Sequence, residues 1–316
     1  MHLQVIHESR YDYMPPVEVA QHMAYLQPWN TSTQQLLSHS LRIEPRPAQQ
    51  TAAVDVFGNR RTFISLQTPH ARLRVVATST LRTQERPMPD SSMAWEQVRE
   101  RFRYRADAAY DPGAEFVFPS QHVPRHAEFA AYARPSFPAG ASLFEAARDL
   151  MHRIHADFTY DSQSTQINTP ALEALAQRKG VCQDFSHIMI ACLRSMGLAA
   201  RYVSGYLLTE PPPGTERLIG SDASHAWVSV LLPDLPGDAR WCDFDPTNDR
   251  WGWGLPGEDY VLLALGRDYA DVSPIRGVIH GGASHQLTVA VTVTRLDATA
   301  PDAAAVPLQA QSQSQS

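Results

Sequence analysis

The sequence predicts an α+β fold in which an antiparallel β region is followed by helices packed on a second antiparallel sheet. Two observations carry this prediction. β-Branched and aromatic runs dominate residues 1–86, whereas apolar residues recur with a helical period from Met93 to Met196. Strand-like runs then return between Ala200 and Val293. Because strands and helices come in blocks and do not alternate, a parallel βαβ sheet is not expected.

In the first block, residues 62–66 and 73–81 are the clearest strands, and residues 55–59 supply a turn in which Gly58 and Asn59 tolerate positive φ. The prolines within residues 87–92 suit neither a central strand nor a helix interior. We therefore expect a β-rich domain over residues 1–86 and a second domain over residues 90–296.

Three helices are predicted in the middle block. The first covers residues 143–154, and Ser142 with Glu145 forms a capping-box pattern at its start. The second begins with Thr169 as N-cap and Pro170 at the first helical position. The third runs from about Cys182 to Met196 and ends at Gly197.

Strands are predicted again in the last block. A tail without periodicity follows over residues 297–316, rich in Ala, Pro, Gln and Ser, and is expected to be disordered. The predicted strands cover residues 200–208, 226–232, 240–244, 260–265 and 287–293.

Composition excludes several classes of function. The net charge is −6 and no dense Lys/Arg run occurs, so neither nucleic acid nor an anionic membrane surface is an expected partner. No apolar stretch approaches the roughly 18–20 residues of a membrane span, and the N-terminus does not resemble a signal peptide. Three cysteines fit a reducing, cytoplasmic compartment. Composition makes no prediction about the oligomeric state.

Cys182 is the first candidate for chemistry. It follows a glycine-containing turn and begins a predicted helix, where unpaired N–H groups and the helix dipole favour an anion. Such a position stabilises a thiolate, the nucleophilic form of cysteine, and places N–H donors beside any oxyanion that forms there. The alternative is a small buried core residue, which is common for free cysteine.

His225 and Asp245 are the second and third candidates. His225 begins one predicted strand and Asp245 ends the next, and a short connection makes the two strands antiparallel neighbours. The pairing brings both side chains to one end of the sheet, where the imidazole serves as a base and the carboxylate orients it. Taken singly, the histidine is more often structural, and an aspartate before proline more often starts a turn.

The segments that contain these residues resemble the core of the transglutaminase-like superfamily. The N-terminal stretch resembles the β region that precedes this core in bacterial members, so the likeness extends over roughly residues 1–293. The core segments are GVCQDFSH at 180–187, RSMGLAARYVSGY at 194–206, HAW at 225–227 and FDPTN at 244–248, with FTY at 158–160 upstream. The N-terminal segments are YDY at 11–13, LQP at 26–28 and DVFGN at 55–59.

The resemblance implies a papain-like catalytic fold with Cys182 as nucleophile, His225 as base and Asp245 as orienting carboxylate. It implies a cysteine-dependent acyl-transfer enzyme that acts on a peptide, protein or other amide substrate through a thioester. Hydrolysis of the peptide or amide bond is the expected reaction. The alternatives are transfer of the acyl group to an amine, as in a transglutaminase, and a non-catalytic binding or scaffold protein on the same fold.

Other residues have weaker claims. Tyr206 and Trp227 match family positions near the cleft and are candidates for substrate binding, although aromatic residues in such strands are as often core. Gln183 is a candidate oxyanion donor, although its helical position turns it away from Cys182. No metal or other cofactor is expected, because Pro124 argues against a helix that would align His122 with His126.

Overall fold

The secondary structure follows the predicted order of strands, helices and strands. The computed structural model describes residues 1–103, 106, 109–161, 169–209, 224–235, 240–282, 284–296 and 311–313. In these ranges the strands are β1 (His2–Ala24), β2 (Gln34–Glu44), β3 (Gln49–Val54), β4 (Arg60–Leu66), β5 (His70–Thr83), β6 (Thr159–Tyr160), β7 (Lys179–Gly180), β8 (Ala200–Leu207), β9 (Ser224–Leu231), β10 (Trp241–Asp245), β11 (Arg250–Gly252), β12 (Tyr260–Gly266), β13 (Ile275–Gly281), β14 (Ser284–Arg295) and β15 (Gln311–Gln313). The helices are α1 (Trp95–Arg101), α2 (Ala127–Ala133), α3 (Leu143–Asp157), α4 (Ala171–Gln177), α5 (Cys182–Ser195) and α6 (Tyr269–Val272), with short 3₁₀ turns at Pro112–Val117 and Arg134–Ser136.

The long strand β1 organises the N-terminal sheet. Its first half pairs with β5 and β14, and its second half pairs with β4 and β13, all antiparallel. Alternate residues along its first half are buried, as expected for a strand with one face on a core. The predicted division after residue 86 separates β1 to β5 from the helices, but β13 and β14 come from the end of the chain and complete the same sheet.

The second sheet supports the helices. Its strand order is β11-β10-β9-β8-β12 and every pairing is antiparallel. Helix α5 packs against β8 and β9, and buried apolar residues from α2, α3 and α5 form one cluster with this sheet. Leu150 and Ile188 are both fully buried there. The sheet therefore holds α5 in a fixed position relative to β9.

The helix ends largely follow the predicted capping. Ser142 Oγ accepts the Glu145 backbone N–H at 3.2 Å at the start of α3. Gly197 has a φ of 81° just beyond α5, the left-handed conformation that glycine adopts at least cost. Helix α4 begins one residue later than predicted: Pro170 is its N-cap, with an extended ψ of 136°, and Thr169 lies outside the helix.

The two sheets share an apolar cluster. Leu3 and Val5 of β1, together with Val291 and Val293 of β14, pack against Tyr206 and residues of β12. The N-terminal sheet therefore covers the edge of the second sheet that β8 and β12 form.

The predicted disordered tail lies mostly outside the described residues, since only 311–313 of residues 297–316 are described. Those three residues pair with β14 as a short antiparallel strand, Leu287 opposite Gln313 and Val289 opposite Gln311. Within the described ranges, no helix is both long enough and apolar enough to span a membrane.

Candidate active site

Cys182 lies at the first position of α5 and is half-buried. The turn before it is held by Asp184, whose Oδ2 accepts the backbone N–H of Val181 at 2.8 Å. Gly180 allows this contact, because a Cβ there would lie 2.7 Å from the Asp184 side chain. Asp184 thus stabilises the first turn of the helix, and Cys182 lies at its N-terminal end, where the helix dipole favours an anion.

His225 and Asp245 meet at one end of the second sheet. Strands β9 and β10 are antiparallel neighbours, as the connection between them predicts, with Val228 opposite Phe244 and Leu231 opposite Trp241. The His225 Nε2–H donates to Asp245 Oδ2 at 2.7 Å, and both side chains are buried. Since Nε2 is used in this bond, Nδ1 is the ring nitrogen left for a second partner.

The second partner of His225 is Cys182. Burial by itself lowers the pKa of His225, but the charge and hydrogen bond of Asp245, followed by the hydrogen bond and charge of Cys182, raise it to about 10. His225 therefore lies between a carboxylate and a sulfur, and both neighbours favour its protonated form. The structure brings the three sequence-predicted side chains together around one point.

Asp245 has further hydrogen bonds that sequence reasoning missed. Its Oδ2 also accepts the Tyr260 hydroxyl and the Asn248 side-chain N–H, each at 2.7 Å, and its Oδ1 accepts the Thr247 backbone N–H at 2.9 Å. Burial raises the pKa of Asp245, but the His225 charge and these side-chain donors outweigh it and lower the pKa. The carboxylate is therefore ionised although it is fully buried.

Two tyrosines lie near the sulfur and were also missed. Burial raises the pKa of Tyr160 and of Tyr202, and in both cases the charge at Cys182 raises it further. Tyr160 is exposed and its ring meets Phe185 edge-on, whereas Tyr202 is buried. Both tyrosines lie in segments that resemble the family, Tyr160 in FTY and Tyr202 in RSMGLAARYVSGY, but strand alternation does not reveal that either lies near Cys182.

Trp227 lies beside the site but is fully buried. Its ring stacks on His225 with centroids 6.1 Å apart, and its Nε1–H donates to Asp243 Oδ2 at 3.0 Å. Gly205 makes room for the indole, since a Cβ there would lie 2.4 Å from the ring. Trp227 thus packs against the imidazole of His225, and its side chain is too buried to contact a substrate.

Tyr206 and Gln183 differ in their relation to the site. Tyr206 is 1% exposed, packs in the cluster between the sheets, and its hydroxyl lies 3.0 Å from His7 Nδ1. The structure therefore does not place Tyr206 in a cleft with Cys182. Gln183 is half-buried and directly follows Cys182 on α5. Residues 162–168 and 210–223 lie outside the described residues.

The fold and site define a class of protein: a papain-like α+β fold in which a cysteine begins a helix and a histidine–aspartate pair lies on the adjoining sheet. The chain belongs to the transglutaminase-like superfamily. The family model for the bacterial transglutaminase-like N-terminal region matches residues 3–82, and the model for the transglutaminase-like superfamily matches residues 130–246.

Relatives of similar length occur in mycobacteria. Uncharacterized proteins of Mycobacterium tuberculosis and Mycobacterium bovis are each 39% identical over 282 residues, which covers 88% of this chain and 87% of theirs. An uncharacterized protein of Mycobacterium leprae is 30% identical over 301 residues, covering 93% of this chain and 99% of its own.

A solved structure shares the fold. The crystal structure of a candidate cysteine protease from Cytophaga hutchinsonii superposes with a TM-score of 0.69 at 20% identity, and covers 98% of this chain and 93% of that chain. Over the part of the present chain that is described, no group of three or more His, Cys, Asp or Glu side chains is arranged to hold a metal ion.

Proposed function

We propose that this protein is a cysteine-dependent hydrolase of peptide or other amide bonds, with Cys182 as nucleophile, His225 as acid and base, and Asp245 as the orienting carboxylate. The observation that carries the proposal is the position of His225, which bonds Asp245 Oδ2 through Nε2 at 2.7 Å and has Cys182 as its second hydrogen-bond partner. An imidazolium next to sulfur is the arrangement that activates a thiol for acyl transfer.

The first half of the proposed reaction forms a thioester. The Cys182 thiolate attacks the amide carbonyl carbon, a C–S bond forms, and the carbonyl electrons move to oxygen. Backbone N–H groups at the start of α5 donate to this oxyanion, and loss of one such donor costs on the order of 10²–10³ in rate. The oxyanion then collapses, the C–N bond breaks, and His225 Nδ1–H protonates the departing amine.

The second half releases the acyl group. Neutral His225 takes a proton from water, the hydroxide attacks the thioester, and the C–S bond breaks to give a carboxylic acid and the thiolate. Throughout this cycle Asp245 stays ionised and holds the Nε2–H of His225. If a primary amine took the place of water, the same thioester would yield a new amide, which is the transglutaminase alternative.

The non-catalytic alternative is disfavoured by the site itself. All three side chains are present, and the Asp245 carboxylate is buried with donors on both oxygens. Burying a carboxylate costs free energy because the group loses its hydration, and several hydrogen bonds are needed to compensate for that loss. Such an arrangement is expected where the charge has a role.

Intact-mass spectrometry after incubation with a pool of glutamine-containing peptides, with and without a primary amine, tests the proposal. Hydrolysis products in both conditions support a hydrolase, whereas amine-substituted peptides support the transglutaminase alternative. Cys182→Ala should abolish either activity. Cys192→Ala is the matched control because it removes a fully buried thiol in the helical core. Full activity of Cys182→Ala would refute the assignment.

A further inference from the structure

A cavity of about 580 Å³ opens at the C-terminal end of α5, between that helix, α1 and α2. Four arginines line it: Arg99, Arg125, Arg134 and Arg194. Among the described residues that line it, none is a carboxylate, although the whole chain has a net charge of −6. The concentration of positive charge is therefore local to this cavity.

Arg194 has a structural role, because its guanidinium group is bonded to the backbone around it. It is 3% exposed, and its guanidinium donates to the carbonyl oxygens of Phe116, Ala200 and Arg267. Burial lowers its pKa to about 10, so it remains a cation at neutral pH. Arg194 therefore lines the cavity as a cation, and the charges of Asp268, Asp271 and Glu115 partly offset the effect of burial on its pKa.

The other three arginines are exposed at the rim. Arg99 lies over the Trp95 ring with its guanidinium carbon 5.0 Å from the centroid, and Arg125 Nη2 is 3.5 Å from the Val117 carbonyl oxygen. Across the described ranges, Arg99, Arg125 and Arg134 form no ion pair with a carboxylate. Their charges are thus available to a ligand.

A buried hydroxyl group, that of Ser195, also lies at the cavity. The Ser195 Oγ is buried at the cavity and has no hydrogen-bond partner among the described residues. Trp95 and Phe137 supply apolar walls. Like charges that converge on one cavity repel each other, and a bound anion relieves the repulsion. Guanidinium groups match the oxygens of phosphate in a bidentate manner, which a single lysine charge does not.

We propose that this cavity is a binding site for a compact multivalent oxyanion of the phosphate class. It is separate from the candidate active site, because Cys182 begins α5 and Ser195 ends it, and 14 residues of helix span about 20 Å. Binding therefore does not depend on the proposed hydrolase chemistry. Cys182→Ala should bind the anion as the wild type does.

Isothermal titration calorimetry of the full chain with pyrophosphate, at low ionic strength, tests the site. Saturable binding is expected, with Kd raised about 10-fold by Arg134→Gln or Arg125→Gln and with no measurable heat for the double variant. Arg46→Gln, an exposed arginine outside the cavity, is the matched control and should leave Kd unchanged.

Thermal melting separates loss of binding from loss of fold. Without pyrophosphate the double variant should melt no lower than wild type, because it removes repelling charges. With pyrophosphate, wild type, Arg46→Gln and Cys182→Ala should gain stability, whereas the double variant should not. The proposal is overturned if potassium chloride of equal ionic strength gives the same shift, if Arg46→Gln weakens binding as much as Arg134→Gln, or if no saturable binding occurs.

Discussion

The Tyr260 hydroxyl donates to the same oxygen of Asp245 that His225 contacts, at the same distance of 2.7 Å. Tyr260 comes from β12, which is separated from β9 by β8 in the sheet. Its ring also meets the Trp227 ring edge-on at 5.4 Å. A residue from the far edge of the sheet thus helps to fix the orientation of the carboxylate that holds His225.

The Tyr260→Phe variant should therefore lose activity while it keeps its fold. A hydrogen bond to a charged group contributes about 1.5–3 kcal/mol, so kcat/KM should fall by roughly 10- to 100-fold. Tyr132→Phe is a matched control, because the Tyr132 hydroxyl donates to Asp157 at 2.8 Å in another part of the molecule. If both variants lost equal activity, Tyr260 would have no specific role at the site.

The pH dependence of the activity should reflect the raised pKa of His225. The proposed mechanism needs a protonated imidazole, and the raised pKa means that this proton is lost only well above the ordinary histidine range. The alkaline limb of kcat/KM should therefore lie far above pH 6.5. Asp245→Asn should move that limb to lower pH and reduce kcat strongly. An unchanged limb in Asp245→Asn would contradict the assigned pairing.

Stability should fall in mildly acidic solution. Burial lowers the pKa of His7 and His22 to about 4 and that of His187 to about 3. The unfolded chain takes up these protons near pH 6.5 and the folded chain does not, so the free energy of unfolding decreases as pH drops from about 6.5 towards 4. Each histidine contributes at most about 1.4 kcal/mol per pH unit in this window.

Urea denaturation at a series of pH values measures this slope. His22→Leu should flatten it, because both ring nitrogens of His22 are buried without a partner among the described residues. A denaturation midpoint that stays constant between pH 6.5 and 4.5 would contradict the role of the buried histidines.

Thiol labelling should distinguish Cys182 from the other two cysteines. Cys182 is half-buried, whereas Cys192 and Cys242 are fully buried and burial raises the pKa of both. Brief treatment of the native protein with iodoacetamide should modify Cys182 alone, and peptide mapping locates the adduct. Unfolding in urea should expose all three. Labelling of Cys192 before Cys182 would argue against an accessible nucleophile.

The parts of the molecule set by local patterns could be predicted from the sequence. The capping of α3 by Ser142, the end of α5 at Gly197 and the antiparallel pairing of β9 with β10 depend on a few adjacent residues. The same local patterns placed Cys182 at a helix start and His225 and Asp245 at adjoining strand ends.

The parts that depend on contacts between residues far apart in the sequence could not be predicted. The pairing of Leu3 with Arg295 joins β1 to β14, two strands far apart in the sequence. Nothing in the residues of either strand predicts that the other is its partner. Tyr206 lies in a predicted strand, but the sequence does not reveal that the N-terminal sheet covers it. The hydrogen bond of Tyr260 with Asp245 likewise depends on strand order, which spacing alone does not define.

Trapping the acyl-enzyme tests directly whether Cys182 is the nucleophile. The wild-type protein is mixed with an intact peptide that it has been found to hydrolyse. The reaction is quenched in acid within one turnover, and the protein is digested for mass spectrometry. We expect an acyl group attached to Cys182 in wild type, and neither adduct nor turnover in Cys182→Ala. Turnover of the same peptide by Cys182→Ala, with no acylated cysteine in wild type, would contradict this assignment.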